Sequence, residues 1–295
     1  MSDNYHSDWT NQKERVSSFW LKLILNIALM LPRNWVKLLL HPIVCFYLLI
    51  SRNQIIASRH YLNQALGRPA TIRDVYRHFF WFATTILDRV YFLSGRHSAF
   101  NITYENREKW KESMQERPTQ LYFGAHFGSL DAVRFLSQEI HNIKIKAVVK
   151  VDQNERIMKI FNELNPELQS GIIPNDGMNT IFDIYDALKT GSSVAILKDR
   201  SVSQEKTVEV QFFKDKIRIP ISGFKLAQKR NIPVTVFFGR YEGKNHYHVF
   251  SKPLDFCPDM AIEEMAQLYI SEVEAQCRIS PYNWFNFYHY WVGGA

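Results

Sequence analysis

A histidine and an aspartate five positions apart, His126 and Asp131, stand in the stretch QLYFGAHFGSLDAVRFL (120–136). An imidazole is the side chain whose ordinary titration range lies nearest neutral pH, so it can take a proton and return it. A carboxylate beside it fixes its tautomer and stabilises the imidazolium. On an unbroken helix a five-residue spacing points two side chains apart. The pair therefore works only if the turn at Phe127-Gly128 separates strand from helix. The local pattern supplies that turn: an apolar run ends in Ala-His, and the helix opens at Ser129. His126 is then expected at the carboxyl end of a strand and Asp131 in the first turn of the next helix, where open α/β sheets bind ligands. Gly128 permits a tight turn and a close substrate approach. Ser129 is expected as the helix N-cap rather than as a nucleophile.

Other candidates lie at strand ends. Asp199 and Arg200 close the run SSVAILKD, and Arg240 follows VTVFF. Lys150 and Arg218 are basic residues at similar places. Each has an alternative reading as a solvated charge or a surface ion pair. With Gly128 they make up the candidate substrate contacts. The histidines show no HExxH or comparable spacing, so no metal is expected.

These residues need a scaffold, and the chain has room for one. Its 295 residues suffice for one large domain or two small ones. Charged residues make up 22% and aromatics 14%, a composition that folds rather than remains disordered. The net charge of +7 suits anionic lipid, acidic partners or nucleic acid. Nucleic acid is set aside because no RNP, KH or zinc pattern accompanies the charge. Cys45, Cys257 and Cys277 are widely spaced, which argues against a disulfide framework.

Residues 1–18 are polar and read as a mobile N-terminus without a cleavable signal sequence. Residues 19–51 change character, with two apolar runs interrupted at Pro32-Arg33 and carrying Lys37, His41 and Pro42 in the second. Neither run reaches the roughly twenty residues a span needs. A kinked span and an amphipathic pair lying in the membrane interface both remain open, with a core helix pair as the plain alternative. Residues 52–295 form the remaining domain. Within it, Thr71 and Asp74 open a helix over 73–93 in capping-box fashion. Strands are expected at 120–125, 143–150, 170–175 and 192–199, with helices at 154–165, 179–191, 221–231 and 260–279. Hairpins are expected at 207–220 and 232–254. Strands alternating with helices of this length give an α/β fold with a mixed, mostly parallel central sheet flanked by helices.

The blocks AHFGSLD, SVAILKDRSV, VQFFKDK, ISGFKLAQKRNIPV and VFFGRYEG, closed by Pro281-Tyr282-Asn283-Trp284, follow a familiar order. The His-x4-Asp motif is similar to that of glycerolipid and lysophospholipid acyltransferases. The ordered set resembles the bacterial lipid A late acyltransferases over most of residues 19–290. The segment LGRPATIRDVYRHFFWFATTILDRV further resembles members that accompany aryl-polyene lipid pathways. The resemblance implies a membrane-associated O-acyltransferase on the cytoplasmic face of the inner membrane. It implies a fatty acyl thioester of acyl carrier protein or coenzyme A as co-substrate, with no resident cofactor. It also implies a lipid or glycolipid hydroxyl as acceptor, with His126 as general base and Asp131 beside it. A non-catalytic, membrane-bound lipid-binding homologue is the alternative. Three departures bear on the acceptor. Arg200 replaces the family's usual glutamine, an arginine is missing around Pro166-Glu167-Leu168-Gln169, and Phe285, Asn286, Phe287 and Tyr288 replace basic residues. A sugar-phosphate acceptor calls for cationic clamps, and these are thinned here.

Overall fold

The computed structural model describes residues 29–105, 112, 116–141, 144–150, 162–166, 170–175, 177–201 and 205–292. The polar N-terminus, the first apolar run up to residue 28, most of the 154–165 helix and residues 167–169 lie outside the described residues.

Three helices come first: α1 (Arg33–Ile50), α2 (Arg52–Leu66) and α3 (Ile72–Leu93). Pro32 precedes α1, where its fixed φ suits a helix start. Pro42 does not break α1, which runs on to Ile50. That proline lies on the exposed side, so the ring is accommodated without disturbing the docked face. Gly67 ends α2 in the left-handed conformation, the usual glycine stop. The expected capping box is present at the start of α3: Thr71 accepts from the Asp74 amide while Asp74 accepts from the Thr71 amide.

The sheet follows, with strands β1 (Asn101–Tyr104), β2 (Leu121–Gly124), β3 (Ile145–Val149), β4 (Ile172–Pro174), β5 (Ser193–Leu197), β8 (Val234–Gly243) and β9 (His246–Leu254). Their spatial order is β1-β9-β8-β2-β5-β3-β4. All pairs are parallel except the β8–β9 hairpin. The mixed, mostly parallel sheet expected from the sequence is therefore present. The hairpin β6 (Thr207–Phe212) and β7 (Asp215–Pro220) is a separate two-stranded sheet rather than part of the main one. The strand β1 was not expected.

Connecting helices are α4 (Leu130–His141), α5 (Met178–Lys189), α6 (Ser222–Arg230) and α7 (Ile262–Ile279). Every residue of β2 is buried, as befits a central strand covered on both faces. On one side Phe123 packs edge-on against Phe224 of α6 and Tyr269 of α7. On the other, Tyr122 meets Phe237 of β8 edge-on. Centring β2 between β8 and β5 brings the residues that follow β2 and β5 to one crevice at the carboxyl end of the sheet.

Candidate active site

The turn after β2 is fixed from two sides. Gly128 has φ +58°, and a Cβ there would lie 1.9 Å from the carbonyl oxygen of Gly239 on β8. Any side chain at 128 would collide with backbone. The Ser129 amide donates to that same oxygen at 2.8 Å. From the other side comes the C-terminal segment, which turns through a 3-10 helix at Pro281–Asn283. Its Phe285 amide donates to the His126 carbonyl at 2.8 Å, and the Gly128 amide donates to the Asn283 carbonyl at 2.9 Å. The glycine thus makes the expected tight turn. The close approach it permits is that of β8's backbone.

Ser129 Oγ accepts from the Ala132 amide at 3.2 Å, which makes it the N-cap of α4. The amides of Leu130 and Asp131 are among those that a helix start leaves without intrahelical partners.

His126 is held by Asp199. The ring Nδ1 lies 2.9 Å from Asp199 Oδ1, and the His126 amide donates to Oδ2 at 3.1 Å. Trp284 Nε1 also donates to Oδ2, at 3.0 Å. The Asp199 side chain is fully buried, while the His126 side chain is 38% exposed. Burial alone would push the Asp199 carboxyl up. The charge and hydrogen bonds of His126, with the nearby charge of Arg200, outweigh it and bring the group down to about 2. An ionised carboxylate accepts only, so Nδ1 carries the proton. In the neutral ring Nε2 then carries the lone pair, and it makes no hydrogen bond among the described residues.

Asp131 stands elsewhere. Its Oδ2 pairs with Arg89 Nε of α3 at 3.2 Å, and its side chain is mostly buried. The carboxylate on Nδ1 is that of Asp199, 73 residues away in sequence, and not that of Asp131.

The basic candidates separate. Arg200 donates to the Phe285 carbonyl and lies over the Tyr288 ring, so it helps seat the C-terminal segment. Arg240 is buried, with Nη1 on Gln276 of α7 at 3.0 Å and Nη2 on Glu242 at 3.3 Å. Arg218 lies on the separate hairpin, paired across it with Glu209. Lys150 follows β3 at the sheet's carboxyl end, half-buried. His126, Asp199, Arg200 and Gly128 are thus brought together; Arg218 is not.

Trp284 and Arg89 were not singled out from the sequence. The tryptophan sits in the closing Pro-x-x-Trp block, which was the available signal. Nothing in the sequence marks Arg89. Among the described residues no three His, Cys, Asp or Glu side chains converge to hold a metal.

The family pattern for bacterial lipid A biosynthesis acyltransferases matches residues 6–292. The chain belongs to that family. Among curated proteins, none matches the chain. Membership makes the protein an acyltransferase of lipid A biosynthesis type. In the described site a partly exposed imidazole is held by a buried carboxylate at the carboxyl end of the sheet.

Proposed function

We propose that the protein moves a fatty acyl chain from an acyl thioester to a hydroxyl of a lipid or glycolipid, with His126 as general base. The observation that carries this reading is the division of labour on one imidazole: Nδ1 is held by a buried anion while Nε2 is open to the crevice. The acceptor hydroxyl gives its proton to Nε2 as its oxygen attacks the thioester carbonyl. A carbon–oxygen bond forms and the tetrahedral intermediate carries the negative charge on oxygen. To the helix-start amides of Leu130 and Asp131 we assign the role of meeting that charge. On collapse the carbon–sulfur bond breaks, and the imidazolium returns the proton to the departing thiolate. Asp199 stabilises the imidazolium between the two steps. Asp131, through Arg89, ties the first turn of α4 to α3 and so fixes the far side of the crevice. No covalent acyl-enzyme is needed, because both substrates meet at the crevice. The donor is acyl carrier protein or coenzyme A loaded with a fatty acid. Arg240 and Arg218 spend their charge on internal partners, which favours an acceptor less phosphorylated than lipid A.

The site faces a membrane interface at the cytoplasmic side of the inner membrane. Helix α1 supports this, because it is amphipathic the wrong way round for water. Arg33, Lys37 and His41, at successive i, i+4 positions, bind the domain through Asp88, Tyr241 and Tyr76 respectively. Trp35, Leu38, Leu39, Phe46, Leu49 and Ile50 are exposed. By length and composition alone, α1 is apolar enough to cross a membrane. A span would strip the three polar residues from their partners, so α1 is placed flat, apolar side in the lipid.

Transfer of label from acyl carrier protein or coenzyme A thioesters to a total lipid extract tests the reading, with His126→Ala alongside. One labelled lipid band, lost in the variant, is the expected result. Absence of transfer from either donor would favour the non-catalytic lipid-binding reading, and full activity of His126→Ala would remove the base.

A further inference from the structure

Trp284 is fully buried, and its ring is wedged by aromatic edges. Tyr61 of α2 and Phe212 of β6 lie 4.9 and 5.0 Å away, centroid to centroid. Its carbonyl accepts from Nε2 of His78 on α3 at 2.8 Å. His78 is buried, and burial lowers it to about 4 despite that hydrogen bond, so the ring is neutral. With its one proton on Nε2, its Nδ1 accepts from Ser58 Oγ at 2.8 Å. Backbone and ring of Trp284 are therefore both anchored outside the strand that carries His126, to α2, α3 and the β6–β7 hairpin. Its indole N–H has one use, the Oδ2 of Asp199.

That oxygen has one other donor, the amide of His126. The amide belongs to the residue whose ring is being oriented, so it cannot serve as an outside reference. A carboxylate held by one oxygen can turn about its Cβ–Cγ bond. A second, independent donor on the other oxygen fixes its plane. The ionisable groups that interact with this carboxylate are His126, Arg200, Tyr269 and Cys277 of α7, and Tyr290 of the C-terminal tail. Arg200, next in the chain, is the cation among them that competes with His126 for the charge.

We propose that Trp284 is a positioning residue for the reaction at His126, its indole N–H setting the Asp199 carboxylate in the plane that faces Nδ1. The inference rests on His126 acting as base. It makes the C-terminal segment part of the site, with a defect expected in turnover rather than in substrate affinity.

The test replaces Trp284 with β-(3-benzothienyl)alanine, which keeps the ring's shape and lacks the N–H, and separately makes Trp284→Phe. Protein in detergent micelles, labelled with 15N-histidine, reports the His126 tautomer; its signals are assigned by their loss in His126→Ala. In wild type a single Nδ1–H form is expected. Both replacements are expected to give a mixture of Nδ1–H and Nε2–H forms. They should lower kcat about ten-fold with KM for the thioester within about two-fold. Trp284→Phe leaves space in the core, so the isostere decides if that variant fails to fold. A wild-type tautomer in the isostere overturns the proposal, whether or not kcat falls. If wild type transfers no acyl group, the functional reading fails, yet the tautomer comparison still decides whether Trp284 orients the pair.

Discussion

Two buried carboxylates, Asp88 and Asp199, have nearly the same surroundings and opposite uses. Each side chain is fully buried and each accepts three hydrogen bonds. Asp88 takes Arg33 Nε at 2.5 Å, Arg33 Nη2 at 2.6 Å and the Tyr247 hydroxyl at 2.6 Å. Asp199 takes the His126 ring, the His126 amide and the Trp284 indole. The difference lies in the partner. Arg33 is buried, permanently charged, and gives its remaining Nη1 to the Lys244 carbonyl at 2.7 Å. Its buried guanidinium is closed off from a substrate, and the pair pins α1 to the domain. His126 is partly exposed, titratable, and keeps one nitrogen open. A buried, hydrogen-bonded carboxylate thus points to a candidate site only when its partner retains an unspent, reactive atom.

The sharpest way to break this comparison is Asp199→Asn. The amide can donate to Nδ1 and so favour the wrong tautomer, with little change in shape. A loss in kcat of about a hundred- to ten-thousand-fold is expected in the transfer assay. Asp131→Asn leaves the Nδ1 contact intact and should cost markedly less. If Asp131→Asn cost as much, Asp131 would share the orienting role that the geometry gives to Asp199.

Asp88→Ala is the counterpart on the structural side. It strands the Arg33 guanidinium in the interior, and removal of one partner of a buried pair costs about 3–5 kcal/mol. Denaturant unfolding in a mild detergent should show that loss. Activity per folded molecule should stay near wild type. A collapse of kcat in protein that remains folded would mean that α1 docking and the crevice are coupled, and the two carboxylates would no longer be opposites.

The sequence shows unequal amounts of these two regions. The apolar runs of β2 and β8 are readable because these central strands are buried on both faces, and that of β5 because its strand lies between β2 and β3 in the sheet. The start of α3 is readable because a capping box is local. The strand β1 is not, since four residues at a sheet edge, half-buried, carry little periodic signal. His126 is legible from its strand-turn-helix setting, but its partner is not. Asp131 is near in sequence and Asp199 is not, and spacing cannot register a contact closed by the pairing of β2 with β5. Arg33 and Asp88 likewise meet only because α1 lies across α3. The basic strand-end residues show the same limit: charge type is visible, but whether Arg240 is already spent on Gln276 depends on where α7 packs.

His78 sharpens the comparison through pH. Burial holds it at about 4, against an ordinary value of 6.5, so the folded protein keeps it neutral where the unfolded chain protonates it. The unfolded state binds more protons in that window, so stability is full above about pH 6.5 and falls as pH drops toward 4. The loss is on the order of 3 kcal/mol, at 1.36 kcal/mol per unit. Asp199 is depressed as well, but its contribution is present above about pH 4 and lost only as pH falls toward 2. Melting curves from pH 7.5 to 4.5 should therefore flatten in His78→Gln and keep their slope in Asp199→Asn. A slope unchanged in His78→Gln would mean that another buried group carries the acid sensitivity.

The smallest effect is expected at Arg218, and it bounds the argument from the exposed side. Its guanidinium meets Glu209 at 3.0 Å, with both side chains about two-fifths exposed. Water screens such a pair, and exposed pairs are worth about 0–1 kcal/mol. Its strand belongs to the hairpin outside the main sheet, so Arg218→Ala should leave both the melting temperature and the transfer rate close to wild type. A large rise in KM for the acceptor, with stability unchanged, would instead show that this arginine leaves Glu209 to meet substrate. The hairpin would then be part of the acceptor's path, and geometry in the absence of substrate would have hidden a third kind of carboxylate pairing, one whose partner is unspent only after it lets go.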